Sequence, residues 1–113
     1  MEKAIRIIFL EPAQEFMEKL DKQTTKKFLF AFDKTRMRIF GKWFKKLTST
    51  DIFEFKVDDG VFFYRLFAFW DSRRANETLI VCTHGFEKKS DKTPSKEIDR
   101  AEKIRREYFE DTS

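Results

Sequence analysis

The sequence predicts an α+β domain in the order β-α-α-β-β-β-α, a curved, mainly antiparallel sheet with helices packed on one face. Three observations carry this. An apolar, β-branched run opens the chain at Ala4–Leu10 and stops at Glu11-Pro12. Two stretches of helical spacing follow. Then three runs of strand character lie close together, before a charged helix closes the chain.

Each element has a local cause. Pro12 suits the first turn of a helix, and Phe16 and Leu20 lie four apart on one face of it, so a helix runs to about Asp21. A second helix starts near Thr24 or Thr25, with Phe28, Ala31, Phe32, Thr35 and Ile39 at helical spacing and Gly41 as its stop. Phe30, Met37 and Phe44 lie off that stripe and form either a second buried face or a contact surface. Ile52–Val57 alternates around Glu54 and Lys56, and Asp58-Asp59-Gly60 is a hairpin turn. Val61–Trp70 is apolar on both faces and therefore central. Thr78–Phe86 is the next strand, and Cys82, His84 and Phe86 share one face by strict alternation. Thr93 reads as the N-cap of a last helix from Pro94 to about Phe109, with Ile98, Ala101, Ile104 and Tyr108 as its apolar stripe.

Length and composition fit one domain, 1–113. The 113 residues hold 15 Phe, 2 Trp and 2 Tyr, ample apolar area for a core, and only 3 Gly and 2 Pro. One cysteine, Cys82, allows no internal disulfide, which points to a reducing compartment. No apolar stretch is long enough for a membrane span, and a cytoplasmic location follows as the expectation. A phosphate-binding glycine loop, a CxxC and a zinc set are absent, so no metal and no cofactor are expected. A Cys82/His84 dyad is the weak exception, because Cys82 sits in the apolar run Leu79–Cys82.

Charge is uneven. Residues 22–49 carry nine basic groups and one acid, Asp33, for a net of +8, which exceeds the +4 of the whole chain. Such a field attracts polyanions by releasing their counterions, although a solvated lysine-rich helix face is the plainer reading. Within the strands, Arg65 interrupts Phe63, Phe67 and Phe69 and needs a partner or solvent; Glu54 is the structural candidate. The functional reading is a cationic sheet face that holds a phosphate, with Lys88, Lys89 and Lys92 added from the following loop.

These residues carry a family resemblance. The pieces are D-I-F-E-F-K (51–56), F-Y-R-L-F (63–67), T-L-I-V (78–81) and the closing block H-G-F-E-K-K-S-D-K-T-P-S-K-E-I (84–98). Together they resemble the phage-derived HigB branch of the RelE/ParE toxin superfamily, and the element order is RelE-like. The resemblance implies the toxin of a type II toxin–antitoxin system, a metal-independent, ribosome-dependent mRNA endoribonuclease. Its implied partners are the ribosome, mRNA and a neutralising antitoxin of the helix-turn-helix, HigA-like kind. On the motif positions, Arg65, Lys56, His84 and Lys88 are the candidate catalytic residues. Lys89 and Lys92 are candidate RNA contacts, as are Lys42, Lys45 and Lys46 from the basic segment. Glu54 is the structural partner. Lys56 departs from the pattern: the family commonly has Arg there, and lysine offers a point charge in place of a bidentate fork. Two alternatives stay open. One is a ParE-like poison of a protein target; the other is an inactive prophage remnant that only binds an antitoxin.

Overall fold

The side-chain alternation of the central strands sends bulky apolar groups to both sides, so both faces of the sheet need cover. A computed structural model describes residues 2–90 and 92–113 and shows how that cover is supplied. Its elements are β1 (Ala4–Phe9), α1 (Glu11–Glu18), α2 (Lys22–Arg36), β2 (Phe44–Lys46), β3 (Phe53–Asp58), β4 (Phe63–Asp71), β5 (Glu77–Lys88) and α3 (Ser95–Asp111). One five-stranded sheet has the order β1-β5-β4-β3-β2. β1 runs parallel to β5, and the other pairings are antiparallel. The expected α+β order is therefore present, with one addition. The three-residue β2 extends the sheet beyond β3, Phe44 opposite Phe55.

The helices do not share a face, contrary to expectation. Phe28, Ala31 and Phe32 of α2 and Ala13 of α1 pack on Phe55, Leu66, Ala68, Ile80 and Cys82. Ala101 of α3 packs with Phe67, Phe69, Leu79 and Val81, the alternate residues of the same strands. The central strand is apolar on both sides because it is covered on both sides.

Helix boundaries follow from local chemistry. Asp21 caps α2, its carboxylate accepting from the Thr24 amide at 2.8 Å. The helix stops well before Gly41. Arg38 adopts φ 61°, and the Arg38 and Ile39 amides donate to the Thr35 and Lys34 carbonyls, a Schellman closure made by a non-glycine residue. The Arg38 side chain is held by the Glu2 carboxylate and the Lys3 carbonyl. Thr93 is not the cap of α3: Pro94 occupies that position, and the Thr93 hydroxyl donates to Glu54 at 3.2 Å instead. The hairpin turn is as expected. Gly60 has φ 91°, and Asp59 accepts from the amides of Val61 and Phe62. Tyr64, on the α2 side, donates its hydroxyl to Asp59.

A one-residue irregularity interrupts the β4–β5 ladder. Leu66 pairs with Gly85 and Ala68 with Cys82, so β5 spends three steps where β4 spends two. The extra residue changes which way the following side chains point. Cys82 lies in the core under α1 and α2, while the His84 ring packs on Phe67 at 5.0 Å and faces α3. The expectation that Cys82 and His84 share a face fails for this reason.

Candidate functional site

The β3–β4 register sets the site. Lys56 stands directly opposite Arg65, and both project to the α3 side of the sheet, on the alternate positions to Val57, Tyr64 and Leu66. Two cations facing each other across a ladder repel. Glu54 lies two residues along β3, diagonal to Arg65, and its Oε1 is 3.9 Å from the guanidinium Nε. Thr93 donates to the other oxygen of Glu54, which ties the segment after β5 to the sheet. The expected Glu54–Arg65 pair is thus present, although Lys56 rather than Glu54 is the residue opposite.

Arg65 is almost wholly buried, its guanidinium over the Phe63 ring at 5.5 Å and donating from Nη1 to the Tyr64 carbonyl at 3.0 Å. It nevertheless lines a cleft of about 360 Å³ at the β2 side of the molecule. Lys42, Lys56 and Arg65 supply three cations to that cleft and Asp58 one carboxylate, with Trp43 and Phe63 as aromatic walls. The Lys56 amide donates to the Trp43 carbonyl at 2.9 Å, which fixes the segment before β2 against β3. Trp43 and Phe63 did not stand out in the sequence as site residues. A period-2 step from Arg65 to Phe63, and the Lys42-Trp43 pair, are the signals that point to them.

The other sequence candidates are dispersed. Lys88 pairs with Phe63 at the end of β5, its ammonium 5.4 Å from the Phe86 ring. Lys89 and Lys92 are exposed between β5 and α3, and the Asp91 of the closing motif lies outside the described residues. Lys45 and Lys46 are exposed on the outermost strand, β2.

His84 is not in the cationic cleft. Arg65 and His84 sit on the same sheet face, but Phe67 and Phe86 stack at 5.5 Å across the opposite diagonal and fill the space between them. His84 borders a separate cleft of about 230 Å³ between α1 and α3, with Phe16, Lys19 and Arg100. Its Nδ1 is 3.1 Å from the Thr83 hydroxyl and its Nε2 3.6 Å from a Glu97 oxygen. Burial, with a smaller push from Arg100, lowers its pKa to about 4. The imidazole is therefore neutral at pH 7. Cys82 is fully buried, and that burial pushes its thiol up, away from nucleophilic use.

A second polar cluster, at the end of β4, was not anticipated. Asp71 at the end of β4 meets Arg73, Tyr108 and the C-terminus of α3. Arg73 holds the Asp71 carboxyl well below the usual carboxylate range, against the raising effect of burial. Tyr108 and Phe109 pack on Phe69, which makes them part of the core and not a base-stacking surface.

A mixed five-stranded sheet, with α1 and α2 on one face and α3 on the other, carries the cationic cleft of a chain in the RelE/ParE toxin superfamily. The chain belongs to the phage-derived protein Gp49-like family, a HigB-like group in that superfamily, whose model matches residues 15–106. No curated protein and no solved structure matched the chain. Family membership implies a type II toxin with an antitoxin partner. No helix among the described residues is long and apolar enough to cross a membrane.

Proposed function

We propose that the chain is a toxin that cleaves mRNA on the ribosome in the cytoplasm, without a metal ion, and is neutralised by an antitoxin of the helix-turn-helix kind. The convergence of Lys42, Lys56 and Arg65 on one aromatic-walled cleft carries this reading. In such a reaction the ribose 2′-oxygen attacks the adjacent phosphorus. A 2′-O–P bond forms, the P–O5′ bond breaks, the 2′ proton goes to a base and the leaving 5′-oxygen gains one. Charge accumulates on the phosphorane oxygens. Lys56 and Arg65, already fixed side by side, are the groups that stabilise it, and their mutual repulsion is relieved when an anion arrives.

Lys88, at the end of β5 opposite Phe63, is the candidate for proton transfer among the lysines of the closing motif. Lys89 and Lys92 guide the strand. His84, neutral and behind the Phe67–Phe86 stack, serves as a positioning residue for the bulged strand. Lys42, Lys45 and Lys46 dock ribosomal RNA.

The test is induced expression in a bacterium of wild type, Arg65→Ala and Lys56→Ala, with growth and transcript ends followed. Growth arrest with cuts inside translated messages, lost in both variants, is expected. Lys56 is half-exposed, so its substitution keeps the test independent of folding. Arrest with intact transcripts would overturn the nuclease reading and favour a protein target.

A further inference from the structure

We propose that Asp58 and Phe63 form a pocket that reads a guanine base beside the scissile phosphate. This names the base that the cationic cleft takes, and it rests on the nuclease reading. The register places the two residues. Asp58 stands directly opposite Phe63, as Lys56 stands opposite Arg65, and period 2 puts all four on the α3 side of the sheet. The two cations form one row. Asp58 and Phe63 form the next, two residues along each strand and roughly 7 Å away. Lys88 completes that second row on the other side of Phe63.

The hairpin does not use the Asp58 carboxylate. Its neighbour makes the turn: Asp59 accepts from the Val61 and Phe62 amides and from the Tyr64 hydroxyl. The Asp58 carbonyl accepts from the Lys27 ammonium at 2.7 Å, which fixes the backbone at this point. Among the described residues, no hydrogen bond or ion pair engages the Asp58 side chain, and the residue is exposed at the cleft. A carboxylate beside Lys42, Lys56 and Arg65 repels the phosphates that those cations attract. It lowers the affinity for every RNA alike, unless a base donates to it.

Base chemistry selects guanine. Its Watson–Crick edge carries two adjacent donors, N1–H and N2–H, spaced to meet both oxygens of a carboxylate. Adenine and cytosine each present one exocyclic amine beside a ring-nitrogen acceptor, and uracil presents one N–H between two carbonyls. Each of these three sets an acceptor lone pair against Asp58. The other edge of guanine, O6 and N7, carries acceptors only, which suits the lysine on the far side of Phe63. The aromatic walls supply the stacking plane. Phe63 is half-buried, with the Arg65 guanidinium 5.5 Å from its centroid, and Trp43 is the second wall. A splayed nucleotide thereby sets its phosphate on Lys56 and Arg65 and its base beside Phe63.

The probes are four fluorescein-labelled 2′-O-methyl pentanucleotides, UUGUU, UUAUU, UUCUU and UUUUU, read by fluorescence anisotropy with the full chain. The methyl group blocks the attacking oxygen, so binding is measured apart from cleavage. Wild type is expected to bind the guanine probe about tenfold more tightly than the others. Inosine in place of guanine removes the N2 amine and should cost most of that advantage with the protein unchanged. Asp58→Asn should lose the preference and bind the three other probes more tightly than wild type does, because a repelling charge is gone. A merely structural Asp58 would produce neither change, and circular dichroism checks that the variant keeps its fold. Transcript ends from wild-type expression are read separately: guanine preference with uncut messages supports the pocket and overturns the nuclease reading alone. If wild type binds no probe or all four equally, if the preference survives in Asp58→Asn, or if free GMP binds more tightly than the guanine probe, the proposal is overturned.

Discussion

Arg73 clamps Asp71 through two parallel hydrogen bonds, Nε to Oδ1 and Nη2 to Oδ2, each 2.9 Å long. Tyr108 donates to Oδ2 at 2.7 Å, and the guanidinium lies over the Phe109 ring at 4.7 Å while donating to the Thr112 hydroxyl at 2.7 Å. One buried carboxylate thereby fastens the last turn of α3 to the end of β4. Asp71→Asn keeps the shape and removes the charge. It should cost about 2–3 kcal/mol, the loss expected for charge-assisted hydrogen bonds at a buried site, measured by urea unfolding. The pH dependence has a definite sign. The folded carboxyl titrates below its ordinary value of 3.8, so its contribution is complete above that value and is lost as pH falls further. The Asn variant should therefore show a shallower stability loss in acid than wild type.

His84 is the only histidine, so its ring gives an unambiguous NMR titration. Its midpoint should lie near 4 instead of 6.5, because burial disfavours the imidazolium. Here the unfolded chain takes up the proton first. Stability should fall as pH drops from about 6.5 towards 4, by up to about 3 kcal/mol for a shift of that size. His84→Gln should flatten this part of the profile. A midpoint near 6.5 would place the ring in solvent and return it to the list of acids available for cleavage.

Gly85 stands where α1 crosses the second half of β5, beyond the last β1 partner, Cys82. A Cβ at this position would come within 2.4 Å of the Phe16 ring. Gly85→Ala should lower stability by about 1–3 kcal/mol through overpacking. Phe16→Leu in the same chain should recover part of the loss, because the smaller side chain yields the space. Equal melting temperatures for wild type and Gly85→Ala would show that α1 does not press on the strand.

The sequence was most legible where one physical cause acted alone. Gly60 and the Asp58-Asp59 pair announced the hairpin, which forms as expected. Legibility failed where two segments had to be known together. β2 is three residues long, too short for a pattern, and exists because β3 offers it an edge. Val61–Trp70 reads as apolar on both faces, yet nothing in that run says that α3 crosses to the side opposite α1 and α2. The bulge near Gly85 leaves no mark in composition, and it alone moved His84 away from Cys82. Thr93 looks like a cap from sequence, but its hydroxyl is claimed by Glu54, 39 residues earlier. For the site, the β3–β4 register sets Lys56 opposite Arg65, and Lys42, from the segment before β2, lines the same cleft; the sequence named these cations without showing that they share a cleft. The aromatic walls were missed because Trp43 and Phe63 look like two more core residues in a chain with 15 phenylalanines.

Charge reversal at the basic strand edge isolates its contribution to ribosome binding. Lys42, Lys45 and Lys46 are exposed, and Lys45 and Lys46 lie on the outermost strand of the sheet. Replacing all three by Glu removes phosphate contacts. Ribosome co-sedimentation should weaken, and its dependence on salt should become shallower, since each lost phosphate contact reduces the slope of log K against log[salt] by about 0.7 for single-stranded RNA to 0.9 for a duplex. If the triple reversal sediments with ribosomes on the wild-type salt curve, the contact with ribosomal RNA lies on another face. The loop lysines Lys89 and Lys92 would then be the next to reverse.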